Sequence, residues 1–393
     1  MKVVSNGSRQ ALAVIQLKPS TPTTPAALKP SGHTTATAIV YCDGNFAELD
    51  GKTANGLVRR SERYQVASVI DRRHAGHDAG TILDGTACGI PIHADLDAAL
   101  TQLDTVPDVF IYGMAPSSGL LTQHDRDVML AAMGKGMNVV NGLHEFLNED
   151  PVFQAACLSN KVSILDVRKP KEIGQLRLFS GRIATVSCPV IAVLGTDCAI
   201  GKRTTANIIT SSLNEVGIKA TMVGTGQTGL IQGARYGVAL DAIPSQFCAG
   251  ELEACIVEAF ETEHPDVIIV EGQGALSHPA FSTTSFILRG SCPNAVVLQH
   301  APLRRERCDF PGMPMPSPDS EIAMIQAFAK TKVIGLTINH EGMSDVDVSG
   351  SMLRYERQLG IPVTDALSRP TQRLVSMVMD AFPQLRARMT THS

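Results

Sequence analysis

The sequence lacks tryptophan and has few other aromatic residues, with 12 Phe and 5 Tyr among 393 residues. Proteins that bind single-stranded nucleic acid stack bases on aromatic side chains, so this composition argues against such a surface. Positive charge is not in excess either, because 34 Lys and Arg are opposed by 38 Asp and Glu, for a net charge of −4. Binding to a phosphate backbone needs clustered positive charge, and we therefore expect no nucleic-acid partner.

Long apolar runs and closely paired cysteines are also missing. No run approaches the ~20 apolar residues that span a bilayer, so we expect no membrane partner. None of the nine cysteines belongs to a C-x-x-C pair, which excludes a zinc site of that spacing, and no other pattern predicts a metal. An odd cysteine count without a recognisable signal peptide indicates a reducing compartment, and we expect the cytoplasm.

Residues 1–36 have the composition of a disordered tail. Ser, Thr, Pro and Ala dominate, four prolines interrupt any helix, and no acidic residue precedes Asp43. Low hydrophobicity of this kind does not supply a packed core. Transit peptides are also Ser-rich and poor in acids, but this segment has only four Lys and Arg and no amphipathic Arg-rich helix. We predict a disordered tail.

From residue 37 onward, short apolar strands alternate with longer amphipathic segments in two series. This pattern is typical of parallel strands joined by crossover helices, so we predict an α/β protein with two doubly wound, mainly parallel-sheet domains. A Rossmann-like domain is expected over 37–170, a linker over 171–187 and a second domain over 188–393. Parallel sheets with exposed edges often associate, which favours a homo-oligomer. The predicted strands are 37–42, 66–70, 109–112, 138–140 and 162–167, then 190–194, 220–223, 267–270, 295–298 and 333–338.

The segment Ile191–Thr205, IAVLGTDCAIGKRTT, predicts a phosphate-binding loop of the P-loop NTPase type. An apolar strand leads into a loop bounded by two glycines, and Gly201-Lys202 opens a helix, which is the setting that the motif requires. Successive backbone N–H groups, the helix N-terminus and the lysine together favour a di- or triphosphate. A tight turn with a surface lysine is the structural alternative. The predicted cofactor-binding residues are Gly195, Thr196, Asp197, Ala199, Ile200, Gly201, Lys202, Arg203 and Thr204.

The loop departs from the usual motif at two points. Five residues, where the motif has four, separate Gly195 from Gly201, and Arg203 stands where a Ser or Thr normally ligates Mg²⁺. Thr204 or Thr205 could supply that hydroxyl only from another direction, because successive helical residues differ by about 100°. The loop therefore suits a phosphate-bearing cofactor that is not hydrolysed.

Further candidates follow neighbouring strands of the second domain. The carboxyl ends of parallel strands meet at one edge of a sheet, and ligands bind there. Glu271, at the end of one strand, is expected to be a Mg²⁺ ligand or general base, and His278 a base or a hydrogen-bond donor to the substrate. Asp241 is equally compatible with a buried structural acid, and Arg289 with a surface ion pair. The candidate substrate-binding residues are Thr225, Gln227, Thr228, Asp241, Gln273 and Arg289.

The sequence does not decide between two possible roles for each of three segments. Gly51-Lys52-Thr53 imitates a nucleotide motif but follows a loop with two acids, so an anion site competes with a plain scaffold. The arginines at 304, 305 and 307 either reach the phosphate or form a solvated face. The Pro-rich run 310–318 is a lid or a fixed loop, and regular structure is hard to place there.

Several segments together resemble a P-loop family long catalogued as a domain of unknown function, whose characterised branch includes D-glutamate N-acetyltransferase. The resemblance covers about residues 40–385, including a Rossmann-like N-terminal domain. Dethiobiotin synthase is more distantly similar and shares the five-residue loop, but it has Thr after its Lys. The segments are GTDCAIGKRTT, GTGQTG, VALDAIPSQFCAGELE and VEGQGALSHPA, then GKTANGLVRRSERYQVASVIDRRHAG, VVNGLHEFL and DVRKP.

The resemblance implies transfer of an acetyl group from acetyl-CoA to the amine of an acidic D-amino acid, with the phosphate loop holding the coenzyme diphosphate. From their positions we expect Glu271 or His278 to be the base and backbone N–H groups of GTGQTG to be donors to the developing oxyanion. Arg289 or Arg235 could bind the carboxylates of the substrate. Two other functions stay open. One is an ATP- and Mg²⁺-dependent ligase of the dethiobiotin synthase type, and the other is a non-catalytic protein that binds a small metabolite.

Overall fold

The predicted alternation of strands and helices is present in both halves of a computed structural model, which describes residues 35–116, 118–308 and 310–388. Residues 1–34 of the predicted tail lie outside the described residues. Two parallel sheets, with helices between consecutive strands, confirm the α/β class. In the part of the chain that is described, no helix combines the length and apolar character needed to cross a bilayer.

The first sheet has six parallel strands in the spatial order β3-β2-β1-β4-β5-β6. This is the doubly wound order of dinucleotide-binding folds. Its central strands are continuous apolar runs because helices cover both faces of the sheet. The strands are β1 (Ala36–Tyr41), β2 (Tyr64–Ile70), β3 (Ile92–His93), β4 (Val109–Tyr112), β5 (Asn138–Asn141) and β6 (Ile164–Asp166). The helices are α1 (Lys52–Arg59), α2 (Ala79–Asp84), α3 (Leu96–Thr101), α4 (Gln123–Gly134) and α5 (Pro151–Asn160).

The second sheet has seven parallel strands in the order β15-β14-β11-β7-β10-β8-β9. Its three central strands, β7, β10 and β11, are buried at every position. The strands are β7 (Val190–Gly195), β8 (Ala220–Gly224), β9 (Tyr236–Gly237), β10 (Val267–Glu271), β11 (Ala295–His300), β14 (Lys332–Ile338) and β15 (Val363–Asp365). The helices are α6 (Lys202–Glu215), α7 (Gln227–Gln232), α8 (Ser245–Glu263), α9 (Thr283–Ser291), α10 (Pro318–Phe328), α11 (Asp345–Leu359) and α12 (Gln372–Ala381).

The Pro-rich run forms regular structure. Strand β13 (Phe310–Pro314) pairs antiparallel with β12 (Glu306–Arg307) in a short hairpin outside both main sheets. The pairing tolerates proline because an edge strand needs only part of its N–H groups. The hairpin projects from the carboxyl end of β11, next to the predicted phosphate loop.

The segment between the two sheets is fixed to α8 by two buried acids. Glu251 accepts hydrogen bonds from Lys171 and from the backbone and side chain of Arg177. Glu253 accepts from Ser180 and from the backbone N–H of Ile183, at 2.7 to 3.0 Å. The predicted linker is therefore held along the second domain by charge-assisted hydrogen bonds.

The first domain meets the second through α1 and α7. The hydroxyls of Thr53 and Thr228 lie 2.9 Å apart and are buried. The side-chain amide of Gln232 donates to the backbone carbonyl of Gly56. A Cβ on Gly56 would lie 2.3 Å from Nη2 of Arg203, so only glycine leaves room for that guanidinium. The nucleotide-like Gly51-Lys52-Thr53 thus lies at a contact between domains.

Replacing Glu253 with Gln is expected to loosen the docked segment. Although burial opposes ionisation, the N–H groups of Ser180 and Ile183 hold the pKa of Glu253 below its usual 4.5. Its ionised form therefore stabilises the fold above about pH 4.5, and this contribution is lost as the pH falls through the lower folded pKa. We expect E253Q to lower the Tm at pH 7 and to flatten the decline of Tm below pH 4.5. E258Q, at an exposed position of α8, is the control, and equal acid profiles for wild type and E253Q would contradict the assignment.

Candidate nucleotide-binding and transfer site

The predicted phosphate loop connects β7 to α6, and its backbone is shaped by residues with little or no side chain. A Cβ on Gly195 would lie 2.9 Å from Cδ of Lys202, so the lysine stem packs across this glycine. Gly201 has a φ of 102°, a conformation that favours glycine, and Ala199 has a φ of 48°. The chain therefore curls tightly between the strand and the helix.

Every backbone carbonyl from Thr196 to Ile200 accepts a hydrogen bond from a side chain, and for four of the five the donor comes from a segment remote in sequence. When the carbonyls of such a curl are held on one side, its N–H groups are presented on the other, which is the geometry of an anion-binding nest. The first turn of α6 adds N–H groups that no carbonyl within the helix can accept. The donors are Arg307 to Thr196, Lys202 to Asp197, Arg304 to Cys198 and Ala199, and Asn339 to Ile200.

Two of these donors, Arg304 and Arg307, are arginines for which the sequence left two roles open. Arg304 and Arg307 do not form a solvated face, since their side chains are only 16% and 8% exposed. Both also lie near the buried carboxylate of Asp197, at 3.7 and 3.8 Å. Asp197 accepts a further hydrogen bond from the backbone N–H of Cys308, at 2.8 Å. The hairpin and the arginine segment before it therefore brace the loop from behind.

A second set of hydrogen bonds fixes the two ends of the loop to β11. The Thr196 hydroxyl lies 2.9 Å from Nδ1 of His300, whose Nε2 lies 3.1 Å from the hydroxyl of Tyr355. The Thr205 hydroxyl donates to Oε1 of Gln299 at 2.7 Å. Burial lowers the pKa of His300 to about 4, so this histidine is neutral near pH 7. Thr205 is thereby directed into the protein, away from the place of a Mg²⁺ ligand.

Glu271 lies at the end of β10 and is 5% exposed. Its Oε2 accepts the N–H of Thr225 at 3.0 Å, and Gly226 donates to the same carboxylate. Burial raises the pKa of Glu271 above its usual value, against the opposing positive charges of Arg203 and Lys202. A Cβ on Gly229 would lie 2.4 Å from Oε2, so α7 approaches this carboxylate through a glycine.

The N–H groups of Thr225 and Gly226 are therefore used by Glu271. The sequence predicts that N–H groups of this loop stabilise an oxyanion, whereas the geometry gives the N–H groups of these two residues another role. Gln273, predicted to bind substrate, donates its side-chain amide to the carbonyl of Thr225. The loop and the carboxylate thus hold each other in place.

Arg203 follows Lys202 and points toward the first domain. Its Nη2 lies 3.5 Å from the carbonyl oxygen of Lys52. Its Nε is buried and has no hydrogen-bond partner among the described residues. Burial lowers the pKa of this guanidinium, and the carboxylate of Glu271 opposes the shift. Arg203 therefore places a cation with a spare donor between α1 and Glu271.

His278 is fully enclosed, with a side-chain exposure of 0%. Its Nδ1 accepts the backbone N–H groups of Ala280 and Phe281, at 3.2 and 3.1 Å, so the neutral ring carries its proton on Nε2. That Nε2 lies 3.8 Å from Oδ1 of Asp197. The ring also stacks on Phe281, with a centroid distance of 4.5 Å. With Nδ1 occupied by two backbone N–H groups, the neutral ring of His278 has no lone pair left to act as a base.

Asp197, Cys198 and His278 are the three side chains, in the part of the chain described, whose types and spacing suit a metal ion. Their ligand atoms lie within 4.8 Å of one another. A metal-bound histidine usually donates through its other nitrogen, whereas Nδ1 of His278 accepts two hydrogen bonds. Two arginines beside Asp197 add positive charge. The donor set therefore fits a cation poorly.

The remaining predicted substrate residues lie in different surroundings. Gln227 and Thr228 are buried in α7, and Thr228 contacts Thr53 of the first domain. Asp241 accepts two hydrogen bonds from Arg168, at 2.8 and 3.1 Å. Arg289 is exposed on α9, with its guanidinium 4.9 Å from the ring centre of Phe328. The structure brings the first two to the α1–α7 contact and places Asp241 and Arg289 in other ion or ring contacts.

Comparisons with known proteins cover both domains. A model of the DUF1611 P-loop domain, described as a domain of unknown function, matches residues 177–375, and the DUF1611_N Rossmann-like model matches residues 72–170. Two relatives named D-glutamate N-acetyltransferase, from Pseudoalteromonas sp and Tritonibacter scottomollicae, are each 31% identical to this chain. They align over 68% and 67% of this chain and over 80% and 79% of their own. The crystal structure of a DUF1611 family protein from Anabaena variabilis ATCC 29413 has a TM-score of 0.81 at 29% identity, covering 88% of this chain and 99% of that chain.

Replacing Lys202 with Met is expected to weaken the binding of inorganic pyrophosphate by about tenfold or more, because a charge-assisted hydrogen bond contributes roughly 1.5–3 kcal/mol. Methionine keeps the apolar stem that packs over Gly195. Titration calorimetry on the full chain measures the Kd, and K330M, at an exposed lysine outside the site, is the matched control. An unchanged Kd for K202M would overturn the assignment of the loop as a phosphate site.

Proposed function

The chain belongs to the DUF1611 family, and from this premise we propose that it transfers an acetyl group from acetyl-CoA to the amine of an acidic D-amino acid such as D-glutamate. The shared name of the two relatives supports an N-acetyltransferase-like function. The donor, the acceptor and the roles of individual residues are parts of the proposal.

The observation that carries the proposal is the identity and placement of Arg203. A loop built for a diphosphate is followed by a guanidinium, where nucleotide-hydrolysing enzymes have the hydroxyl that ligates Mg²⁺. Thr205 does not replace the hydroxyl, because it donates to Gln299. A coenzyme diphosphate that is bound but not cleaved suits such a loop. The ligase alternative needs Mg²⁺ at this position and is less well supported.

Acyl transfer to an amine needs a group that takes one proton. The amine nitrogen forms the new bond to the acetyl carbonyl carbon, the bond from that carbon to the coenzyme sulfur breaks, and the thiolate leaves with the electron pair. Glu271 is the better candidate for the base, because His278 already carries its proton on the nitrogen opposite its two backbone bonds. Burial raises the pKa of Glu271 and so makes its carboxylate a stronger base.

The direct test is to incubate the full chain with acetyl-CoA and D-glutamate and to identify products by mass spectrometry. We expect N-acetyl-D-glutamate and free CoA in equal amounts. Parallel melting curves with acetyl-CoA and with Mg-ATP report which ligand binds the folded state. A shift with Mg-ATP alone, together with ADP formation, would overturn the transferase in favour of the ligase. Tight binding of acetyl-CoA without product would favour a non-catalytic binding protein.

Removing divalent cations is expected to leave the transfer unchanged. Arg203 supplies positive charge near the loop, so no step of the proposed reaction needs Mg²⁺. The rate of CoA release, followed with a thiol reagent after treatment with excess EDTA, should equal the untreated rate. A loss of activity that added Mg²⁺ restores would contradict this part of the proposal.

Replacing Glu271 with Gln is expected to lower kcat by about 10²–10⁴-fold, the usual contribution of a general base. The Kd for acetyl-CoA should stay within about twofold, because the carboxylate contacts Thr225 and not the phosphate loop. Since the base must be ionised and its pKa is raised, the low-pH decline of kcat should lie above the ordinary pKa of 4.5 and disappear in E271Q. E261Q, an exposed acid paired with Arg182, is the control. A wild-type kcat in E271Q would exclude Glu271 as the base.

A further inference from the structure

A polar cleft of about 280 Å³ lies between the two domains, beside α6. One wall comes from the first domain, just after α1. The other wall combines one face of α6 with β8 and the end of α7. Neither the sequence motifs nor the proposed chemistry has used this space. The lining side chains that matter below are Arg60, Glu62, Asn207, Ser211, Gln232 and Arg235.

The inner end of the cleft adjoins the proposed site of transfer. Gly229 lines the cleft and is also the residue through which α7 approaches Oε2 of Glu271. Gln232 lines the cleft as well, and both its amide nitrogen and the guanidinium of Arg203 lie against Gly56. Asn207 follows Arg203 by one helical turn on the same face of α6. A molecule in the cleft would therefore have its inner end against Gly229 and Gln232, and Glu271 lies directly behind Gly229.

A buried polar atom of a residue that lines the cleft has no hydrogen-bond partner among the described residues. It is Oε1 of Gln232, an acceptor. Leaving a buried polar group unsatisfied costs roughly 1–3 kcal/mol, so such atoms commonly mark the place of a ligand or water. An acceptor at this position suits a molecule that carries an amine.

The outer part of the cleft offers positive charge with donors to spare. Arg60 pairs with Glu62 at 3.0 Å, and Arg235 pairs with Glu263. Each pair engages only part of a guanidinium that has five N–H donors. With Lys219, which also lines the cleft, the cations outnumber the acids by three to two. An anionic ligand is therefore favoured over a cationic one.

The volume of the cleft indicates which of the two substrates of the proposed reaction, the amino acid or the coenzyme, it can hold. A volume of about 280 Å³ lies at the lower end of small-molecule pockets, which are roughly 300–1,000 Å³. It suits a free acidic amino acid of about ten non-hydrogen atoms better than a coenzyme several times larger.

We propose that this interdomain cleft is the binding site of the acidic acceptor amino acid, with Arg60 and Arg235 holding its carboxylates and its amine directed toward Glu271. The inference rests on the proposed function for the identity of the ligand. It assigns specificity to residues that lie outside the phosphate loop, and of the two arginines expected from the sequence to bind carboxylates it favours Arg235 over Arg289.

The test is calorimetric binding of D-glutamate and, separately, of CoA to the full chain and its variants. We expect R60A and R235A each to weaken D-glutamate binding by about tenfold or more, with the Kd for CoA unchanged within about twofold. R60K should recover part of the affinity, because it restores the charge. R182A is the matched control, since Arg182 is also an exposed arginine in an ion pair but lies away from the cleft. All these arginine side chains are exposed, so we expect the variants to fold as wild type does, and melting curves check this.

The outcomes separate the two proposals. If wild type acetylates D-glutamate while R60A and R235A bind it as wild type does, the cleft assignment is overturned and the function stands. If the variants lose D-glutamate binding as expected but wild type forms no acetylated product, the cleft stands and the transferase is overturned. If wild type binds no D-glutamate at millimolar concentration, the acidic acceptor is wrong in both the proposed function and the cleft assignment.

Discussion

The whole site depends on hydrogen bonds that hold the carbonyl groups of the phosphate loop on one side. A loop of this curvature leaves five consecutive carbonyls outside regular structure, and each would be costly to bury without a donor. Arg304, Arg307, Lys202 and Asn339 supply these donors from three different segments of the chain. These hydrogen bonds fix the shape of the loop, and Arg304, Arg307 and Asn339 supply them from segments remote in sequence.

The first domain contributes to the same site without supplying a phosphate loop of its own. Its α1 packs on α7, and Ile231 of α7 is part of the hydrophobic core of the first domain. Gly56 leaves the space that the Arg203 guanidinium fills. The two sheets are thus joined at the point where the P-loop domain has its least typical residue. The Gly51-Lys52-Thr53 segment, whose sequence imitates a nucleotide motif, is therefore part of the contact between the domains.

The sequence predicted most of the framework because buried parallel strands have a strong local signal. Val109–Tyr112 was predicted with its observed bounds, and α6 begins at Lys202 as predicted. The short strands β3, β9 and β15 and the hairpin β12–β13 were missed, since such short elements depend on neighbours and not on their own pattern. The bracing roles of Arg304 and Arg307 were equally hidden. Their partners are remote in sequence, and a surface arginine and a bracing arginine have the same local signature.

The cleft between the domains has one wall from each of them, and this has a consequence for turnover. A rigid rotation about the α1–α7 contact would change the width of the cleft and the surroundings of Arg203 in one movement. The entry of a small molecule into the cleft and the position of the Arg203 charge near the loop would then change together, without a dedicated lid. Substitutions at the α1–α7 contact would in that case act on the rate at which product leaves.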